Sequence, residues 1–285
     1  MQRKTILGFT AALACATALV GVPMASAENG TEGGSESLEA IGLTTSQRLV
    51  RFDVDNPGRT LTIGAVSGLA GDNRLVGIDY RVQNNRLYGV GNAGGVYTLN
   101  ESDASATKVS QITVALTGKF FGVDFNPAAD RLRVISDTGQ NLRHDVNPGG
   151  LTTVDLGLTY PPATTPATGL TAAAYTNNDL DPNTATTLYY IDTSLNQLAI
   201  QSPANNGTLA PTGLLTVNPA PLAGFDIYSE VDDGTTVDLE AYATLRVGFT
   251  YRVYEITLFS GNAEDNGGFP AGMRVMDLAM PLNQL

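Results

Sequence analysis

Four aspartates recur at matching positions along the chain, and their carboxylates are its strongest candidates for chemistry. The segment "GIDYRVQNNRLYGV" (77–90) matches "GVDFNPAADRLRVI" (122–135) without a gap, and the matching positions are Asp79, Asp124, Asp226 and Asp277. If these side chains converge, their hard oxygen ligands suit a cation such as calcium. Two of them also suit acid–base or glycosidic chemistry, which needs paired carboxylates.

A structural role is the other interpretation, and the recurrence favours it. Catalysis needs one asymmetric site, whereas a buried carboxylate repeated along a chain most often accepts hydrogen bonds from backbone amides. Alternation along a strand places Asp79 on the face opposite Ile78 and Tyr80. We therefore predict no catalytic residue, and we treat the four aspartates as candidates for lining a channel or locking repeats together.

Other chemical motifs are weak. "DLDPN" (179–183) opens like a calcium loop, but Thr184 and Tyr190 stand where an EF-hand needs Gly and Glu. His144 is the single histidine, so histidine-rich metal centres are excluded, and we expect it to be a surface or cross-strand residue. No G-x-S-x-G motif occurs.

Three arginines follow turns, at Arg86, Arg131 and Arg133. We expect them to pair with the recurring aspartates or to cover strand edges. Their placement does not indicate an anion site.

The recurring segment marks a structural repeat. Related segments start at 77, 122, 172, 224 and 275, with Ala174 in place of the aspartate in one of them. Each of the two clearest copies continues as four runs of alternating, β-branched and aromatic residues, separated by Asn, Asp, Pro and Gly. Four strands in about 45–50 residues are typical of a β-propeller blade.

The chain ends indicate how the ring closes. Residues 38–67 contain the second, third and fourth strands of a blade, and "MRVMDLAMPL" near the C-terminus supplies an innermost strand. We predict an all-β fold over residues 38–285, a single β-propeller of five four-stranded blades. The C-terminal strand would complete the N-terminal blade and cover its open edge. A sixth, degenerate blade is an alternative, and a β-sandwich is a weaker one.

The first 27 residues have the pattern of a cleaved signal peptide. Arg3 and Lys4 precede an apolar run, and "ASA" (25–27) matches a cleavage site. Residues 28–37 then form a flexible polar leader. The sequence predicts export to the periplasm, the cell surface or the medium. Cys15, in "ALAC", leaves a lipoprotein variant as an alternative.

Cleavage would leave an acidic, cysteine-free chain. It would keep 14 basic against 28 acidic residues and lose Cys15, the single cysteine, which excludes disulfides and thiol catalysis. Such acidity disfavours nucleic acid and anionic membranes as partners. We expect a monomer that does not insert into a membrane after cleavage.

The stretch from "LVGIDYRVQNNRLYGVG" to "FFGVDFNPAADRLRVISDTGQNLRHDVNPG" resembles the bacterial family called domain of unknown function 4394. The resemblance covers about 38–285 and implies an exported bacterial protein, but it supplies no activity or catalytic residues. Three functions stay open. The first is a binding or scaffold module for a small molecule, glycan or envelope protein, without a cofactor. The second is a glycosidase-, lactonase- or cyclotransferase-like enzyme that uses the aspartates, with or without calcium, and the third is a structural envelope protein.

Overall fold

The computed structural model describes residues 37–203 and 205–284. The predicted signal peptide, nearly all of the polar leader and Cys15 lie outside these residues. Within the described part of the chain, no helix is long and apolar enough to cross a membrane.

The described residues form five antiparallel sheets of four strands each. The N-terminal residues contribute three strands to the first sheet, and a short 3-10 helix, Pro57–Arg59, precedes the third of them. These strands are β1 (Glu39–Thr44), β2 (Arg48–Asp53) and β3 (Leu61–Ala65).

The next four sheets use consecutive strands. Blade 2 comprises β4 (Leu75–Arg81), β5 (Arg86–Gly91), β6 (Gly95–Leu99) and β7 (Ala106–Gln111). Blade 3 comprises β8 (Phe121–Asn126), β9 (Arg131–Ser136), β10 (Asn141–His144) and β11 (Thr152–Val154). Blade 4 comprises β12 (Leu170–Tyr175), β13 (Leu188–Asp192), β14 (Gln197–Gln201) and β15 (Leu209–Leu214). Blade 5 comprises β16 (Pro219–Asp232), β17 (Thr235–Val247), β18 (Thr250–Ile256) and β19 (Ala263–Gly268).

The last strand closes the ring. β20 (Val275–Ala279) pairs antiparallel with β1, so that blade 1 has the order β20-β1-β2-β3. The five innermost strands, β20, β4, β8, β12 and β16, each contact the next one around the ring. The predictions of a five-bladed propeller and of its closure by the C-terminal strand are therefore confirmed.

The hydrophobic core is divided among the blade junctions. Each of five buried clusters draws its side chains from two neighbouring blades. At the junction of blades 2 and 3, for example, Tyr88 packs edge-on against Phe125. Burial on both faces explains why β4, "LVGIDYR", is buried at every position and lacks a polar stripe.

Glycine in the inner strands permits this close stacking. A Cβ atom at Gly122 would lie 2.6 Å from the backbone nitrogen of Ala173 in the next blade. One at Gly224 would lie 2.4 Å from the Cα atom of Asp277. The repeated glycine thus marks a close backbone approach between inner strands.

Candidate functional site

The inner strands bury all four recurring aspartates between blades. Their side chains are 2–7% exposed, and one carboxylate oxygen of each accepts a hydrogen bond from a backbone amide of the next blade in the ring. The donors are Phe125 N to Asp79 (2.6 Å), Tyr175 N to Asp124 (3.1 Å), Met280 N to Asp226 (2.6 Å) and Ile78 N to Asp277 (2.8 Å).

Three of the four carboxylates also meet each other. One oxygen from each of Asp79, Asp124 and Asp226 lies within 4.8 Å of the other two. Asp277 is outside this group, although its charge acts on Asp79 and Asp124. The structure therefore brings together three of the predicted residues at the axis and places the fourth beside them.

Their environment disfavours ionisation. Burial is the largest cause that raises the pKa of Asp79 and of Asp124, and the neighbouring carboxylates add to it. Burial also raises the pKa of Asp226 to about 6, although amides of Met280 and Ile227 oppose the change. Since like charges in a dry site cannot all ionise, this cluster retains protons at pH values where exposed aspartates have lost them.

The same three residues are the group within the described residues that has the spacing of a metal site. Calcium favours six to eight oxygen ligands, and both oxygens of Asp226 already accept amide hydrogen bonds, from Ile227 and Met280. An amide N–H and a cation compete for the same lone pairs. The donor set therefore fits calcium poorly.

The junction between blades 4 and 5 uses different residues, because Ala174 occupies the aspartate position. Asn178, in the loop after β12, donates to Ile227 O and to Ser229 Oγ of blade 5. Asp179 is buried and accepts from both the amide and the hydroxyl of Thr236, at 3.0 and 2.7 Å. The "DLDPN" segment thus holds the long β16–β17 hairpin.

His144 is fully buried rather than on the surface. Its Nε2 lies 2.7 Å from Ser110 Oγ of blade 2, and its Nδ1 lies 3.0 Å from Thr152 Oγ1 of its own blade. Burial lowers its pKa and outweighs the nearby charge of Asp145. It therefore joins two blades as a neutral ring.

A polar cleft that the sequence did not predict lies between blades 3 and 4. It has a volume of about 310 Å³, and its wall includes Arg133, Tyr175 and Gln201. Arg133 is 1% exposed. Its Nε donates to Tyr175 Oη at 3.1 Å.

The other Arg133 contacts show what holds it there. Nη1 donates to Asn141 Oδ1 and to Asp155 Oδ2, each at 2.6 Å, and Nη2 donates to Asn205 Oδ1 at 2.7 Å. Arg133 thus pairs with Asp155 and not with Asp124, its cross-strand neighbour. Arg131 pairs instead with Asp145. One feature of the sequence could have indicated this cleft: an arginine interrupts the otherwise apolar run "LRVI" of β9.

Two wider grooves lie elsewhere on the propeller. One, of about 690 Å³, is lined by residues of blades 1 and 2, including Arg51 and Glu101. The other, of about 600 Å³, is lined by residues of blades 4 and 5, including Asp238, Glu255 and the exposed Phe259. Burial, and then the charge of Glu240, raises the pKa of Glu255.

Comparison with known proteins assigns the family. The model of the family described as domain of unknown function (DUF4394) matches residues 48–279. The chain belongs to this family, as the resemblance indicated. No protein of curated function matches the sequence.

Solved structures share the fold at low identity. A protein of unknown function from Bacteroides thetaiotaomicron superposes with a TM-score of 0.50 at 14% identity, over 86% of this chain and 65% of that one. An auxiliary nutrient binding protein from the same organism gives 0.44 at 10%, over 86% and 64%. Another auxiliary nutrient binding protein, from Bacteroides ovatus, gives 0.42 at 11%, over 71% and 55%. The chain thus spans about two thirds or less of each of these proteins, and the likeness shows the fold alone.

Proposed function

We propose that this chain is an exported bacterial propeller that binds a ligand without transforming it. The observation that supports it is the engagement of the four inner-strand carboxylates by amides of the next blade. A catalytic carboxylate must reach its substrate, whereas these side chains are buried between strands. The signal-peptide pattern of residues 1–27 supports the export.

The partners that fit are a small molecule, a glycan or an envelope protein. Small ligands bind in concave sites in which a few precisely placed polar groups fix their orientation. The cleft between blades 3 and 4 has this form. We take the working unit to be a monomer.

A hydrolase is the second candidate function, and the observation that favours it is the groove between blades 4 and 5. Asp238 and Glu255 line this groove, and the raised pKa of Glu255 suits a general acid. Two carboxylates flanking a substrate are the minimum for glycoside hydrolysis. This enzyme would be built on the blade faces and not on the recurring aspartates.

Two parallel assays distinguish the binding function from the hydrolase. Purified mature protein is incubated with a panel of chromogenic glycosides and lactones, and in parallel its melting temperature is measured against a library of small polar molecules and glycans. We expect no turnover and at least one saturable increase in melting temperature. Turnover that disappears in Glu255→Gln or in Asp124→Asn would overturn the proposal and identify the catalytic carboxylate.

A further inference from the structure

We propose that the cleft between blades 3 and 4 binds a small hydroxylated carboxylate, with the anionic group of the ligand against Arg133. This inference rests on the proposed binding function and assigns its ligand class. It is drawn from the charges, the unused donors and the size of the cleft.

Behind the cleft, two guanidinium groups share a single carboxylate, so one positive charge is not neutralised. Asp155 accepts from Arg133 through Oδ2 and from Arg143 through both oxygens, at 2.6–2.7 Å. Burial would raise the pKa of Asp155, but the two arginines hold it below its usual range. One carboxylate therefore faces two guanidinium groups, which leaves a local positive charge in a chain of net charge −12.

Three wall side chains also have hydrogen-bond donors that meet no acceptor among the described residues. Arg133 uses four of its five N–H groups on protein oxygens. Tyr175 Oη accepts from Arg133, which leaves its own hydrogen unused within the described residues. Gln201 Oε1 accepts from Asn141 and Tyr190, which fixes the orientation of the side chain and leaves its NH2 group without an acceptor among the described residues.

Unpaired donors in a partly enclosed site favour an acceptor-rich ligand. A carboxylate offers two oxygens with about four lone pairs and forms short, charge-assisted bonds with guanidinium. No acidic side chain is among the residues that line the cleft in the described part of the chain. An anion can therefore approach without repulsion from the wall.

The remaining wall residues select for hydroxyl groups. They are neutral polar side chains with a short apolar strip: Asn126, Thr186, Thr187, Ser202, Leu188 and Ile200. Hydroxyls and amides both donate and accept, as a polyol requires. The volume of about 310 Å³ is at the lower end of the range for small-ligand sites, so the ligand is small.

Three probes test the ligand class on the whole mature protein. Gluconate carries a carboxylate and a chain of hydroxyls, sorbitol has a similar chain without charge, and inorganic phosphate is an anion without such a chain. Titration calorimetry and ligand-observed NMR should show one gluconate bound per chain and at least tenfold weaker binding of sorbitol and of phosphate.

Two variants locate the site without removing Arg133, whose loss would disturb packing. Gln201→Glu keeps the acceptor oxygen and adds a negative charge to the wall, so gluconate should bind at least tenfold more weakly. Tyr175→Phe keeps the hydrogen bond from the Tyr175 backbone amide to Asp124. It removes the phenol donor and also the acceptor of Arg133 Nε, so gluconate should bind more weakly than to wild type but by less than with Gln201→Glu. Thr107→Glu adds the same charge on the exposed strand β7 of blade 2 and should change nothing.

Several results would overturn the inference. They are equal binding of sorbitol or phosphate, full binding to Gln201→Glu, and no gluconate binding at millimolar concentration. If a different ligand then binds wild type and Gln201→Glu equally, the binding function stands and only the assignment to this cleft fails. If turnover is found instead, the proposed function itself fails.

Discussion

The backbone amide of Tyr175 donates to Asp124 Oδ1 at 3.1 Å, across the junction of blades 3 and 4. The phenol of the same tyrosine accepts from Arg133, on the strand next to Asp124. Blade 3 therefore contacts Tyr175 at two points. The backbone amide is bound beside the aspartate cluster, and the phenol is bound in the polar cleft. The hydrogen bond from the Tyr175 amide and the acidity of Asp124 can be tested separately.

Asp124→Asn should leave the fold intact and change its pH dependence. Asn keeps an acceptor for the Tyr175 amide and removes an acid whose pKa is raised by burial and by Asp79 and Asp226. A raised native pKa means that stabilisation is complete below the unfolded pKa of about 3.9 and is lost as pH rises. The variant should equal wild type near pH 4 and be more stable than wild type at pH 8, measured by urea unfolding.

Two other substitutions remove acceptors for the backbone amides that hydrogen-bond to these carboxylates, and they serve as controls. Asp124→Ala leaves the Tyr175 amide without an acceptor and should cost about 1–3 kcal/mol near pH 4, and less at pH 8, where it also removes the buried acid. Asp226→Asn should also destabilise near pH 4, because both Asp226 oxygens accept amide hydrogen bonds and Asn offers one oxygen. A stability of Asp124→Asn that falls below wild type at pH 8 would contradict the protonated cluster.

Asp179→Ala should loosen the junction of blades 4 and 5. The side chain is buried and accepts from both the amide and the hydroxyl of Thr236, so its loss should cost about 1–3 kcal/mol. Hydrogen exchange should show faster exchange at the Thr236 amide.

Asp181→Asn is the matched control for Asp179. Its carboxylate reaches the hairpin through a single bond of 3.3 Å from Thr235 Oγ1, and the variant should keep Thr236 protected. Equal rates of hydrogen exchange at the Thr236 amide in wild type, Asp179→Ala and Asp181→Asn would show that Asp179 does not stabilise the β16–β17 hairpin.

The period of the inner strands could be predicted from the sequence, and the partners of the polar groups could not. Gly, Asp and alternating apolar residues recur because every inner strand meets the same surroundings. Asp155 meets Arg133 only after β9, β10 and β11 pair within blade 3, and no local pattern reports that contact. The same holds for His144, whose partners Ser110 and Thr152 lie on other strands.

The outer strands gave the weakest signal for a physical reason. β19 has the sequence "AEDNGG" and is largely exposed, so it needs no alternation of apolar and polar residues. The segment that contains it, 260–272, has no clear strand pattern, and for that reason the sequence leaves a sixth blade as an alternative. The described residues form five sheets, and β19 completes the fifth.

Gly122→Ala should destabilise the propeller severely. The new Cβ would lie 2.6 Å from the Ala173 backbone nitrogen and 2.8 Å from the Ala172 carbonyl carbon, and backbone cannot rotate away as a side chain can. Overpacking of this kind costs about 1–3 kcal/mol or more, measured as a lower urea midpoint. Gly157→Ala, where the nearest atom lies at 3.5 Å, should stay within about 1 kcal/mol of wild type. Equal midpoints for the two variants would contradict the close approach.

The pKa of His144 should be lower in the native protein than that of an exposed histidine. Its pKa is lowered by burial, so the stability it contributes is present above the unfolded pKa of about 6.5 and is lost as pH falls. NMR of the imidazole should show a titration midpoint below the value of about 6.5 for a free histidine. His144→Gln should reduce the loss of stability between pH 6.5 and 5, and an unchanged slope would contradict a buried neutral ring.

Calcium should leave the stability of the protein unchanged. The three clustered carboxylates have the spacing of a cation site, but amides occupy both oxygens of Asp226. Burial and mutual repulsion also keep protons on the group, and a proton and a metal ion compete for the same oxygen. The melting temperature at pH 7 should therefore be the same with millimolar calcium and with a chelator. An increase with calcium that disappears in Asp124→Asn would show that the axis is a metal site, with the cation replacing the retained protons.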